Sequence, residues 1–295
     1  MIHYTNCPVC KADTISFKIN IKDHSITRET FPVWSCASCS LLFTQDVPDE
    51  NEIGKYYTST DYISHSDTKE GIINSIYHRV RNITLKSKRK LVVKLVGKTK
   101  GDVLDIGSGT GAYLYEMKMN GWGVTGIEAD RDAGNMSHSK YHISTQKPEE
   151  LFTLPGKYDV ITMWHVLEHV HKLEDYLKRI HQLLVKDGVF IVAVPNYTSA
   201  DAKAYGSMWA AYDVPRHLYH FSPQSMKVLM EKYGFEIVES KPMWFDSFYV
   251  SLLSEKYRKG SINYFRAFVK GLLSNFVAMR DNNRCSSVIY IMRLS

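Results

Sequence analysis

A chain of 295 residues can bury a substantial core, and it exceeds one typical domain without reaching two large ones. At 44% hydrophobic and 23% charged it has the composition of a soluble globular protein, and no apolar run approaches the roughly 18 residues that a membrane span needs. The net charge of +6 is modest and its basic residues gather in 79–100 and 256–293 without a dense arm, which argues against nucleic acid as the partner.

The first residues, Met-Ile-His-Tyr-Thr-Asn-Cys, hold no apolar signal core, so a cytoplasmic protein is expected. Cys7-Pro-Val-Cys10 and Cys36-Ala-Ser-Cys39 form two C-x-x-C pairs with 25 residues between them, a little beyond the usual zinc-ribbon spacing. Four thiolates so placed suit tetrahedral zinc and leave it no open position, so the metal is expected to be structural. Redox pairs are the rival reading, disfavoured in a reducing compartment. Ile15, Phe17, Ile19 and Ile21 alternate with polar residues as in a half-buried strand. A unit spanning 1–48 lacks the core to fold alone, so metal binding would supply its folding energy. The polar stretch 49–67, with Tyr56, Tyr57 and Tyr62, reads as a connector whose tyrosines either cover a ligand or pack two units together. A helix is expected over 72–96 on Ile72, Ile76, Val80 and Ile83. The main domain is expected over 90–295.

Val103 to Gly111 reads Val-Leu-Asp-Ile-Gly-Ser-Gly-Thr-Gly, an apolar strand, a loop with three alternate glycines, then a helix-like run from Tyr113 to Met119. Glycines without Cβ let a ligand lie against the backbone, and free N–H groups at a helix start favour an anionic group there. Asp105, two residues before the first glycine, would repel phosphates and suits a cation. A second strand, Gly123 to Ile127, ends in Glu128, 21 residues after Gly107, where a doubly wound sheet places the acid that takes ribose hydroxyls. S-adenosylmethionine fits both acids; a glycine-rich turn binding nothing is the bland alternative. In Asp105, Gly107, Gly109, Gly111 and Glu128 the chain resembles the class I S-adenosylmethionine-dependent methyltransferases, over roughly 90–295. The resemblance implies an α/β, Rossmann-like sheet of seven strands, the last antiparallel. It also implies a cofactor site of Asp105, Gly107, Ser108, Gly109, Gly111, Glu128, Trp164 and His165. Many bacterial members, some acting on sugars, carry a similar cysteine module followed by an apolar, Pro-containing stretch, here 41–48; this chain has Ser40 where a knuckle glycine is common.

After Glu128 come a helix-like run to Lys140, a short third strand at 141–144 and a clean fourth from Tyr158 to Trp164. His165-Val-Leu-Glu168-His169-Val resembles the family's H-x-L-E-H-V pattern, and ligands lie outside the carboxyl ends of parallel strands. His165 is therefore the candidate base for an acceptor hydroxyl, with His169 and His217 as further catalytic candidates. The alternative is that Glu168 and His169 orient the loop. Leu173 to Leu184 keeps helical spacing, stopped by Lys186-Asp187-Gly188, before a buried strand at 189–194.

The run from Tyr197 to Phe221 has no sustained period and is read as a functional loop. Its Trp209, Tyr212, Arg216 and His220 are expected to face the acceptor, with Arg216 taking a phosphate, and the string from Asp213 to Ser222 resembles a D-x-P-R-H-x-x-H-F-S pattern of zinc-ribbon methyltransferases. The alternative is that these aromatics seal the sheet end. A helix capped by Ser222-Pro223, a sixth strand from Phe235 to Ser240 and a seventh from Ser287 to Leu294 complete the sheet. Between the last two lies a helical insertion near 248–284, with Tyr264, Phe265, Phe268, Val269, Leu272, Leu273, Phe276 and Val277 on one face. Packing on the domain, on a sister subunit in an oligomer, or peripherally on a membrane are its three uses. The expected function is methyl transfer to a small-molecule acceptor, a sugar nucleotide or cell-surface polysaccharide precursor. A quinone or other lipid is the second class, and a nucleic-acid-binding protein or RNA methyltransferase the third.

Overall fold

A computed structural model describes residues 1–57 and 72–295, so Tyr62 of the expected connector lies outside the described residues. The alternating isoleucines form β1 (Ile15–Lys22), paired antiparallel with β2 (Thr30–Cys36), which pairs with β3 (Leu42–Thr44). A bulge between Phe17 and Ile19 takes Phe17 out of step and leaves it exposed. The fourth strand of this small sheet, Tyr219–His220, comes from the other end of the chain.

The large sheet is assembled from buried apolar strands alternating with helices. In chain order come α1 (Ile72–Val96), β4 (Asp102–Ile106), α2 (Ala112–Lys118), β5 (Gly123–Ile127), α3 (Arg131–Tyr141), β6 (Thr145–Gln146) and β7 (Tyr158–Trp164). Then follow α4 (Leu173–Leu183), β8 (Leu184–Pro195), α5 (Ala200–Tyr205), β9 (Tyr219–His220), α6 (Pro223–Lys232), β10 (Phe235–Pro242), α7 (Asp246–Lys259), α8 (Tyr264–Ala278) and β11 (Ser287–Leu294). The order is β10-β11-β8-β7-β4-β5-β6. Strands β4 to β8 run parallel and β11 is antiparallel to both neighbours, as expected for a Rossmann-like methyltransferase sheet. Alternation along the strands divides the core. Val103, Val160 and Ile191 pack with Val92 of α1 and Leu114 of α2, whereas Leu104, Ile161 and Phe190 pack with Leu177 of α4 and Met226 of α6.

Three element boundaries differ from those expected. The third strand is Thr145–Gln146 rather than 141–144, because His142 caps α3 in the left-handed region at φ 54° and the chain is still turning there. Helix α4 passes directly into β8, and Lys186-Asp187-Gly188 is a bulge within the strand, where the register against β7 slips between Tyr158 and Val160. The expected loop 197–221 is ordered as α5, two 3-10 turns and β9.

The insertion between β10 and β11 packs by its small residues. Ala267, Gly271, Ser274 and Ala278 of α8 face inward, and a side chain at Gly271 would meet Phe248 of α7 at 2.7 Å. The large apolar residues, for which packing on the domain was one of three expected uses, point mostly outward, because only the small face lets the two helices approach this closely. Among the described residues no helix is long and apolar enough to cross a membrane.

Candidate active site

The parallel register places Asp105 of β4 opposite Thr162 of β7, on the face covered by α1 and α2. Thr162 Oγ1 donates to Asp105 Oδ1 at 2.6 Å. Burial pushes the Asp105 carboxyl up to about 7, with the Thr162 hydrogen bond and the Lys88 charge opposing that and the Glu128 charge adding to it. Lys88 of α1 lies 4.0 Å above the Trp164 ring, and burial lowers its ammonium to about 8 against the pull of Asp105 and Asp246.

The loop after β4 turns on Gly107, Gly109 and Gly111, at φ 74°, 54° and 75°. These three have different jobs. A side chain at Gly107 would meet Val166 Cγ2 at 2.2 Å and one at Gly111 would meet Ser137 Oγ at 2.2 Å, whereas Gly109 faces open space. Glu128 closes the other side, its Oε2 accepting from the Gly109 N–H at 2.6 Å and its Oε1 from the Asp130 N–H at 2.9 Å. Ser108 Oγ and Trp164 Nε1 are buried without a hydrogen-bond partner among the described residues. Two acids, bare backbone and orphaned polar atoms fit a ligand that is cationic and carries hydroxyls.

At the carboxyl end of β7, His165 takes φ 57°, a left-handed conformation uncommon outside glycine. Its N–H donates to Ala193 O at 2.9 Å, which holds the ring at the sheet end. There Nε2 lies 2.8 Å from Asp246 Oδ2 and Nδ1 lies 3.4 Å from Glu168 Oε1. Burial would lower the imidazole's proton affinity, but the two carboxylates outweigh it and raise the group to about 10. His169 behaves oppositely. Burial and the neighbouring His217 hold it down at about 4, with ring centroids 4.5 Å apart. Its Nδ1 meets Arg216 O at 3.0 Å and Tyr57 OH at 3.1 Å, and His217 Nδ1 meets Ala211 O at 2.9 Å. The two imidazoles are thus pushed in opposite directions, although the charge of the buried Glu168 raises both.

A profile of the methyltransferase-domain family matches residues 77–240, from within α1 to β10. The chain belongs to the methyltransferase-domain family. It is an S-adenosylmethionine-dependent methyltransferase of class I. It is similar to the ubiquinone biosynthesis O-methyltransferase of Rickettsia bellii, 26% identical over 214 residues that span 65% of this chain and 84% of that one. The C-methyltransferase NovU of Streptomyces niveus is 26% identical over 162 residues, 51% of this chain and 37% of its own. In fold, the magnesium protoporphyrin IX methyltransferase of Synechocystis PCC 6803 superposes with a TM-score of 0.56 at 15% identity, covering 84% of this chain and 100% of that one.

In this methyltransferase the residues expected to meet the acceptor are inside the protein. Trp209 donates through Nε1 to Asp201 at 2.8 Å, Tyr212 packs edge-on to Trp209 and His220, and His220 reaches Thr44 at 3.1 Å. Arg216 is 1% exposed, bonded to Asp23 at 3.0 Å, Asp213 at 2.5 Å and Tyr56 O at 2.9 Å. A guanidinium so engaged anchors the N-terminal sheet rather than a phosphate. Reading from sequence missed Lys88, Thr162 and Asp246. The first and last sit in helices outside any motif; Thr162 was legible only as the strand partner of Asp105.

The four cysteine sulfurs lie within 4.8 Å of one another, Cys7 to Cys39 at 3.6 Å and Cys10 to Cys36 at 3.5 Å. A tetrahedral zinc with bonds of about 2.3 Å needs sulfurs about 3.8 Å apart, whereas a disulfide needs about 2.05 Å. The donor set fits zinc. Lys11 and Ser40 follow the two knuckles in the left-handed region, at φ 67° and 59°, so Ser40 adopts the turn that glycine usually makes.

Calorimetry with S-adenosylmethionine tests the loop. Affinity should rise as pH climbs through about 7 and Asp105 ionises, with a proton released on binding below that value. Asp105→Ala should weaken binding by roughly ten- to a hundredfold, the ~1.5–3 kcal/mol of a contact to a charged group; an unchanged isotherm would remove Asp105 from the site.

Proposed function

We propose that this methyltransferase methylates a hydroxyl of a small-molecule acceptor, a sugar nucleotide or cell-surface polysaccharide precursor, and that Cys7, Cys10, Cys36 and Cys39 hold a structural zinc. The observation that carries the hydroxyl reading is His165 clasped between Asp246 and Glu168 beside the glycine loop. S-adenosylmethionine, when bound, supplies an electrophilic methyl carbon on a positively charged sulfur. Asp105 and Glu128 supply the negative charge and ribose acceptors for it, and Gly109 admits it to the backbone. An attacking hydroxyl loses its proton as the new bond forms. His165 takes that proton through its neutral form, which the two carboxylates make the minor one at neutral pH, and Asp246 stabilises the imidazolium that results.

The saccharide class is supported by the cysteine module's resemblance to that of sugar-acting members; the burial of Arg216 and Trp209 removes the support expected from them. A quinone acceptor is the second reading, favoured by similarity to the ubiquinone biosynthesis O-methyltransferases. Incubating the protein with methyl-labelled cofactor and a panel of nucleotide sugars, lipid-linked saccharides and quinols separates them: label should pass to a saccharide, and transfer to a quinol alone would overturn the assignment. Gel shift should show no salt-sensitive binding to RNA.

For the metal, a chelator should release about one zinc per chain. Because the zinc module shares a sheet with β9, two residues beyond His217, activity should fall together with the N-terminal fold. A metal-free protein with native stability and turnover would refute the zinc assignment.

A further inference from the structure

The insertion leaves an apolar face uncovered. Phe265, Leu272, Leu273, Phe276 and Met279 of α8 and its end are 52% to 79% exposed, and Trp244 and Phe245, just before α7, are 40% and 47% exposed. They run along one side of α8, and its Met279 end meets the start of α7, since Asn275 Nδ2 donates to Trp244 O at 2.8 Å and Gly271 packs on Phe248. That end belongs to the reaction centre, because Asp246 opens α7 and contacts His165.

Charge decides what covers this face. Between Lys256 and Arg284 stand seven Lys or Arg and one acid, Asp281, a net +6 that equals the charge of the whole chain. The rest of the chain is neutral in sum. Glu255, just before the segment, is buried and paired with Arg258 and Arg266, which takes one charge off and leaves +5. A second copy meeting this face about a two-fold axis would set the positive segment against itself. Aromatic and leucine side chains on the exposed side of a helix, with basic residues flanking them, match a helix lying in the plane of a bilayer that carries anionic headgroups. We infer that the α7–α8 hairpin docks this methyltransferase on an anionic phospholipid surface, with the His165 end of the site turned toward the lipid. The docked enzyme meets acceptors that are anchored in the bilayer.

Sedimentation of the full-length, zinc-loaded protein with vesicles of phosphatidylcholine alone, or of phosphatidylcholine with one part in three phosphatidylglycerol, tests this. The protein should pellet with the anionic vesicles, less so as salt is raised, and stay in solution with the neutral ones. The triple variant Phe265→Ser, Leu272→Ser, Phe276→Ser should lower the bound fraction by roughly tenfold or more. These side chains are exposed, so its circular dichroism and S-adenosylmethionine affinity should match the parent's. No acceptor is used, so the result is independent of the acceptor assignment. Failure of the parent to bind anionic vesicles, or equal binding by parent and variant, overturns the inference. So does light scattering that shows a dimer dissolved by the triple variant, which would assign the face to a second copy.

Discussion

Arg216→Ala should lower the unfolding free energy by about 3–5 kcal/mol in urea titration at pH 7, the cost of breaking a buried ion pair from one side. Asp23, 1% exposed, would keep its charge with the guanidinium gone. Burial alone would raise the Asp23 carboxyl, but Arg216 and the N–H groups of Thr27 and Ser25 hold it down at about 2. A depressed acid stabilises the fold above its ordinary value near 3.8 and loses that contribution as pH falls toward 2. The gap between parent and variant should therefore be full at pH 7 and close on acidification toward pH 2. A loss below about 1 kcal/mol, the range of an exposed pair, would show that the N-terminal sheet does not depend on this contact.

Asp246→Asn should move the ascending limb of the rate against pH by about three units, the other large effect. His165 is held at about 10 chiefly by Asp246, against burial, so in the parent the neutral form needed to accept a proton grows in only as pH approaches 10. Removing the carboxylate's charge should return the ring toward the ordinary value near 6.5, and the limb should follow it to lower pH. Maximal turnover should fall at the same time, because the imidazolium formed in the reaction loses its partner. For stability the sign is fixed: a raised histidine stabilises the fold below about 6.5 and loses this as pH passes 10, so the variant's deficit should vanish in strong alkali. A limb that does not move would transfer the proton-accepting role to His169, the neutral imidazole beside it.

Four strands of the large sheet were legible because each is a short apolar run, and Asp102–Ile106, Gly123–Ile127, Tyr158–Trp164 and Ser287–Leu294 lie where their apolar residues put them. The glycine loop and its two acids were legible for the same reason, since the conformations needed at Gly107, Gly109 and Gly111 restrict the residue type locally. The aromatic stretch 197–221 was misread because lack of period looks the same in a binding loop and in a segment buried among several elements. Its polar groups are satisfied by Asp23, Thr44, Asp201 and Ser254, spread over more than two hundred positions.

Alone, the order of residues determined the sheet, the cysteine cluster and the cofactor loop, all set by side-chain type and spacing within a few turns of chain. Tertiary structure decided which imidazole carries a proton, where Arg216 spends its charge and which face of α8 meets solvent. Those depend on Asp246, Asp23 and Phe248, residues far along the chain that only folding brings within a few ångströms, and electrostatic and packing energies act through that distance rather than through sequence separation.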